Sequence, residues 1–133
     1  MLHSFLLLCL FSLTGQYRII ILKLYGKNKN EVKQYMKGAR ALIFPSRWYE
    51  TAGLTVLEAQ TLKIPAIVSK YCAASEFIEE GKNGFLFENF EQLKKNMMKL
   101  ETQTLQVTLS NDFSFKKYLN DLKKLYGEII NEL

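Results

Sequence analysis

The chain alternates short apolar runs with longer segments whose apolar residues recur every three or four positions. Phe5–Leu13 (FLLLCLFSL) is apolar almost throughout, and Gly15 follows it. Tyr17–Tyr25 (YRIIILKLY) is rich in β-branched residues and reads as a strand. After the polar turn Gly26–Asn30, Val32, Tyr35, Met36 and Ala39 are spaced as one face of a helix over Glu31–Arg40. Ala41–Phe44 is short and wholly apolar, the pattern of a parallel strand covered on both faces. Gly53–Lys63 predicts a helix, with Leu54, Leu57, Ala59 and Leu62 directed at the sheet. Pro65–Ser69 is a further strand, with the proline at the first position, where a missing N–H is tolerated.

Ala74–Glu80 then reads as a short helix, Gly81–Gly84 as a turn and Phe85–Phe87 as a short strand. Asn89 is a candidate N-cap for a helix from Phe90 to about Leu100. Glu101–Ser110 is polar and irregular. From near Asp112 onward, Phe115, Tyr118, Leu119, Leu122, Leu125, Tyr126, Ile129, Ile130 and Leu133 form one long helical stripe. That stripe is more than a small domain is expected to cover, so part of it is expected to dock elsewhere.

Strands alternating with helices indicate βαβ units, hence an α/β fold around a parallel sheet. At 133 residues the chain has the length of one domain. We divide it into an atypical apolar N-terminus (1–16), an α/β region (17–110) and a C-terminal amphipathic helix (111–133). The first segment looks like the hydrophobic part of an export signal, but no Lys or Arg precedes it. It is too short to span a bilayer, which takes roughly 20 apolar residues. The favoured expectation is a buried strand or helix whose covering surface is absent or lies on another chain, or a start-site artefact.

Composition narrows the chemistry. Hydrophobic residues make up 48% and charged residues 23%, as in ordinary globular chains. The net charge of +5 comes from lysines scattered over Lys23–Lys37, Lys94–Lys99 and Lys116–Lys124. Solvated helix faces account for most of it, with weak attraction to anionic membranes or ligands as the minority reading. No basic stripe with interleaved aromatics points to nucleic acid. The two cysteines, Cys9 and Cys72, are far apart, which supports neither a disulfide framework nor a metal site and fits a reducing cytosol. With His3 the single histidine, histidine-based acid–base chemistry and histidine metal sites are disfavoured.

The segment PSRWYETAGLTVLEA carries the strongest functional signal. Glu50 lies in the loop after the Ala41–Phe44 strand, and Glu58 about a turn and a half into the next helix. Both therefore sit near the carboxyl end of a parallel sheet, where open α/β folds bind ligands. Gly53 lets the backbone approach a ligand closely. The N–H groups of Gly53, Leu54 and Thr55, with the helix dipole, favour a phosphate. Glu58 suits a vicinal diol such as ribose. Together they suit a nucleotide–sugar: sugar by Glu50, diphosphate by the glycine turn, ribose by Glu58. Either carboxylate alone would read as a surface acid paired with a base.

The long motif resembles a known family. A-x-A-L-I-F-P-S, the E-x7-E pair, the strand P-A-I-V-S, the acid at Glu76 and the N-G turn are similar to the C-terminal domain of family 4 glycosyltransferases, notably the bacterial surface-polysaccharide branch. The resemblance covers roughly Glu31 to the end. It implies the C-terminal half of a GT-B fold: a Rossmann-like parallel sheet flanked by helices and ending in a long amphipathic helix. It implies metal-independent transfer of a hexose, with retention, from a nucleotide–sugar to a glycan or lipid-linked acceptor. No cofactor is implied; the nucleotide–sugar is the donor substrate, and its leaving phosphate is thought to deprotonate the acceptor. Glu50 then takes the catalytic position beside the donor sugar. Gly53, Leu54 and Thr55 meet the donor phosphate, and Glu58 the ribose. Trp48 and Tyr49 match variable aromatic positions, read as packing.

Departures from the pattern matter. Ala52 replaces the usual aromatic or proline, and Cys72-Ala73 a Gly-Gly pair. The family's G-R…K segment, whose cations neutralise the diphosphate, has no match: Arg18 and Lys23 lie on a strand-like run. The acceptor domain is not encoded either, which suggests truncation. Three expectations follow: a cytoplasmic transferase, possessing or recruiting a separately encoded N-terminal GT-B domain; a non-catalytic nucleotide-binding or interaction module from a split gene; and a dimer or peripheral membrane contact made by the apolar ends at the inner face of the membrane. Nucleic acid is not an expected partner.

Overall fold

The computed structural model describes residues 6–13, 16–23, 28–47, 53–109 and 115–131, with side chains described at 28–47, 53–109 and 116–131. Five strands form one sheet in the order β2-β1-β3-β4-β5. The strands are β1 Leu6–Leu13, β2 Gln16–Lys23, β3 Ala41–Phe44, β4 Ala66–Ser69 and β5 Gly84–Phe87. β3, β4 and β5 run parallel, with Leu42 opposite Ala66 and Ala66 opposite Gly84. This is the α/β arrangement that the alternating pattern predicts.

The N-terminal strands depart from the parallel pattern. β1 pairs antiparallel with both β2 and β3, with Leu13 opposite Gln16 and Leu8 opposite Ile43. The apolar Leu6–Leu13 run is thus a strand within the sheet, the strand alternative of its two readings. The sheet is mixed because two adjacent strands without an intervening helix can pair only as a hairpin.

The parallel strands alternate between two apolar clusters. Leu42, Ala66 and Val68 face Met36 of α1 (Lys29–Met36) and Val56 and Ala59 of α2 (Leu54–Thr61). Ala41, Ile43, Ile67 and Phe85 face Leu100 of α3 (Phe90–Thr102), with Leu105 and Val107 of the irregular segment that follows. Helices cover both faces, which explains why β3 and β4 read as continuous apolar runs.

Local chemistry fixes the boundaries. α1 begins two residues before the expected Glu31, because Asn28 and Glu31 form a capping box: Asn28 Oδ1 accepts from the Glu31 N–H (3.0 Å) and Glu31 Oε2 from the Asn28 N–H (2.9 Å). It ends at Met36, ahead of Gly38 at φ +82°. Asn89 caps α3 as expected, its Oδ1 accepting from the Gln92 N–H at 3.0 Å. Arg40 closes the other end of α3, its Nε donating to the Leu100 carbonyl at 2.7 Å.

The α2 reading needs one correction. Val56, Ala59 and Gln60 are its buried positions, whereas Leu54 is 63% exposed. The helix stops at Thr61 in a Schellman turn: Ile64 N–H bonds to Ala59 C=O and Lys63 N–H to Gln60 C=O, both at 3.0 Å, with Lys63 at φ +63°. The expected short helix at Ala74–Glu80 is a 3-10 segment, Ala73–Phe77.

The last helix, α4, spans Phe115–Asn131. Tyr118, Leu125, Tyr126, Ile129 and Ile130 are exposed along it, so its apolar stripe lies open. No helix among the described residues is long and apolar enough to cross a membrane.

Candidate functional site at the carboxyl edge of the parallel strands

Three parallel strands end on one edge of the sheet. Pro45–Arg47 follow β3, Lys70–Cys72 follow β4, and Glu88 follows β5. α2 starts at this edge, because the chain rises from β3 and must descend through the helix to reach β4.

Gly53 is the N-cap of α2, and its carbonyl accepts the first helical bond, from the Val56 N–H at 2.9 Å. Leu54 and Thr55 precede that bond, so their amides point out of the helix start. The first turn carries no acidic residue to offset the positive end of the helix dipole. Gly53 is itself buried against the 3-10 segment: a Cβ built on it would lie 2.2 Å from Ala74 Cβ. No side chain fits there, which is the structural reason for glycine.

Glu58 is half-buried on the side of α2 away from Val56, Ala59 and Gln60. Its carboxylate is thus on a surface that a ligand can reach, on the same helix as the amides of Leu54 and Thr55. Glu50 lies outside the described residues, as do Trp48, Tyr49 and Ala52.

The loop after β4 is braced by hydrogen bonds to the ends of β4 and β5. Tyr71 N–H donates to Ser69 Oγ at 3.3 Å, Cys72 Sγ to Ser69 C=O at 3.2 Å, and Lys70 N–H to Phe87 C=O at 3.0 Å. Beyond it, the Phe77 carbonyl accepts from Gln60 Nε2 (3.2 Å) and Asn83 Nδ2 (3.0 Å), tying the 3-10 segment to α2 and to the turn before β5. Cys72, at φ −125°, stands where the resembling family has a glycine, yet its backbone is extended and needs none. Glu76 is exposed, and the buried amides of Gln60 and Asn83 order this region.

Two cations that the sequence reading did not single out occupy the edge. Arg47 is exposed three residues beyond β3. Lys70 pairs with Glu88 across the ends of β4 and β5, and its pKa is held above the ordinary lysine value by that hydrogen bond. Their signal was position: Lys70 directly follows β4, and Arg47 lies in the loop three residues past β3. Arg18 and Lys23, by contrast, belong to β2, separated from β3 by β1.

Residues 20–114 match the family described as Glycosyl transferases group 1. The chain belongs to this family. Among similar proteins, a sucrose synthase of Solanum tuberosum is 29% identical over 104 residues, covering 68% of this chain and 13% of the relative. An uncharacterized glycosyltransferase of Methanocaldococcus jannaschii is 29% identical over 113 residues, covering 77% of this chain and 32% of the relative. Sucrose synthase 3 of Arabidopsis thaliana is 32% identical over 75 residues, covering 56% of this chain and 9% of the relative. This group 1 transferase chain therefore spans a minor part of each of these relatives. No solved structure matched it. The matched region contains β3, α2, β4, the 3-10 segment, β5 and α3, so the whole carboxyl edge lies inside the family region.

Proposed function

We propose that this group 1 transferase chain binds a nucleotide–sugar donor at the carboxyl edge of β3–β5, as the C-terminal half of a GT-B hexosyltransferase. The observation that carries this reading is the packing of the α2 start against the 3-10 segment, with Glu58 reachable on the same helix. The amides of Gly53, Leu54 and Thr55 hold the diphosphate, helped by the helix dipole. Glu58 accepts from the ribose hydroxyls, and Glu50 stands by the donor sugar in the catalytic position. Arg47 supplies positive charge where the family's G-R…K segment has no counterpart.

In this reading the hexose is transferred with retention to a glycan or lipid-linked acceptor, in surface-polysaccharide synthesis. No cofactor takes part: the leaving diphosphate receives the acceptor proton. The acceptor half comes from an N-terminal GT-B domain, separately encoded or joined to this chain. The protein works in the cytoplasm, at the inner face of the membrane, where the open face of α4 makes a peripheral contact.

Titration of the 133-residue chain with UDP, GDP and ADP, read by thermal shift, tests donor binding. A ligand that binds the native state at 100 times its Kd adds about 2.7 kcal/mol of stability, a shift of many degrees. The absence of any shift at millimolar nucleotide would overturn the proposal. Turnover of a nucleotide–sugar with a supplied N-terminal half, and none without it, separates a split transferase from a binding module that never catalyses.

A further inference from the structure

The loop after β4 holds an aromatic ring that the core does not use. Among the described residues neither apolar cluster includes Tyr71, and its side chain is 47% exposed. Its backbone is nevertheless fixed, by Ser69 Oγ on its own N–H and by Phe87 C=O on that of Lys70. The Lys70 ammonium lies 5.9 Å from the ring centroid and bonds to Glu88. An aromatic ring and a cation on a braced loop thus meet a carboxylate from the end of β5.

A nucleoside diphosphate–sugar held by the α2 start has two substituents on its diphosphate. Glu58, along α2, accounts for the ribose. The hexose must leave over the neighbouring wall; Gly53 meets Ala74 of that wall, and Tyr71 stands three residues before Ala74 on the same segment. We infer that Tyr71 is a specificity-determining contact for the hexosyl group of the donor, its ring lying against the apolar C–H face of the sugar. Lys70 and Glu88 meet the sugar hydroxyls beside it. A tyrosine suits this task because it offers a large amphipathic surface with two side-chain torsions to restrain. A lysine–glutamate pair offers both donors and acceptors to hydroxyls. The inference rests on the donor-site reading above.

The test compares each free nucleotide with its sugar conjugate: UDP with UDP-glucose, GDP with GDP-mannose, ADP with ADP-glucose, by calorimetric titration of the full chain. For the pair that binds, Tyr71→Ala leaves the Kd of the free diphosphate within about twofold and raises that of the conjugate about tenfold. Tyr71→Phe, which keeps the ring, leaves both within about twofold, and its melting temperature checks that the loop is intact. Equal weakening of nucleotide and conjugate by Tyr71→Ala, no weakening of the conjugate, or a Tyr71→Phe loss as large as that of alanine would overturn the sugar contact while leaving the donor site standing. If the wild-type chain binds none of the six ligands, the donor site itself falls and the inference with it.

Discussion

Gly53 and Ala74 are packed so tightly that a methyl group on the glycine would lie 2.2 Å from the alanine Cβ. This contact joins the start of α2 to the loop after β4, so the two walls of the candidate site cannot move independently. Gly53→Ala forces one of them aside, at a cost of about 1–3 kcal/mol. The same displacement moves the Leu54 and Thr55 amides, so nucleotide affinity falls along with the melting temperature. Ala74→Gly in the same chain removes the clashing Cβ and recovers most of both losses. A double-mutant cycle on stability checks this, and additive losses would mean the two residues are not coupled.

Glu58 separates site from scaffold. It projects from the side of α2 opposite Val56, Ala59 and Gln60, so the fold does not depend on it. Glu58→Ala is expected to weaken binding of the preferred nucleoside diphosphate by about 1–3 kcal/mol, the worth of hydrogen bonds to a charged group. Stability should stay within about 0.5 kcal/mol. A fall in melting temperature with unchanged nucleotide affinity would make Glu58 structural.

The parallel half of the fold was legible because each element had its own local signal. Ala41–Phe44 had the unbroken apolar run of a strand buried on both faces, and Asn89 had its cap chemistry. The N-terminal hairpin was less legible. A continuous apolar run such as Leu6–Leu13 carries no period to tell strand from helix, and pairing direction is set by the connection, not by the run itself. Leu54 was misassigned because hydrophobicity was weighed above phase: the helix buries Val56, Ala59 and Gln60, a set that includes a glutamine. At the candidate site, the start of α2 at Gly53–Thr55 and the place of Glu58 along that helix were legible from spacing. Lys70, Tyr71 and Glu88 were not, because their relation depends on β4 and β5 ending side by side.

Lys63 ends α2 in the left-handed region, at φ +63°, where side chains are disfavoured. The Schellman bonds from Lys63 and Ile64 hold it there, and Ile64 packs in the same apolar cluster as Ala59. Lys63→Gly keeps those bonds and relieves the Cβ conflict. A stabilisation of about 1 kcal/mol is expected, with nucleotide affinity unchanged. Chemical denaturation measures it directly, and a destabilised glycine variant would show that the lysine stem packs better than it strains.

Asn83 is 2% exposed and uses both ends of its amide: Oδ1 accepts from the Glu79 N–H at 2.8 Å, and Nδ2 donates to Phe77 C=O at 3.0 Å. Asn83→Asp keeps the acceptor but sets a carboxylate oxygen against the Phe77 carbonyl. At pH 7 the variant should be less stable by about 1–3 kcal/mol, the cost of an unsatisfied buried group. A protonated carboxyl can donate again, so the gap between variant and wild type should narrow as the pH falls toward about 4, the ordinary aspartate range. Urea melts of both proteins at the two pH values would show whether it does; a gap that widens on acidification would refute the donor role.

α4 differs from the other helices in where its apolar residues lie. Tyr126 is 59% and Ile130 68% exposed, whereas Leu100 on α3 is 1% exposed. Its polar side is supported by the ion pairs Lys117–Asp121 and Lys124–Glu128, four residues apart along the helix, each worth only a few tenths of a kcal/mol. The apolar residues of α4 therefore contribute little to folding of the isolated chain. Tyr126→Gln and Ile130→Gln together should change its stability by less than about 0.5 kcal/mol, since both are surface replacements by a good helix former. Leu100→Ala should cost about 2–5 kcal/mol, because it opens a cavity under the sheet. Urea melts of the two variants and the wild type at low protein concentration make the comparison. A loss in the α4 variant approaching that of Leu100→Ala would mean that the stripe is covered in solution by this chain's own residues.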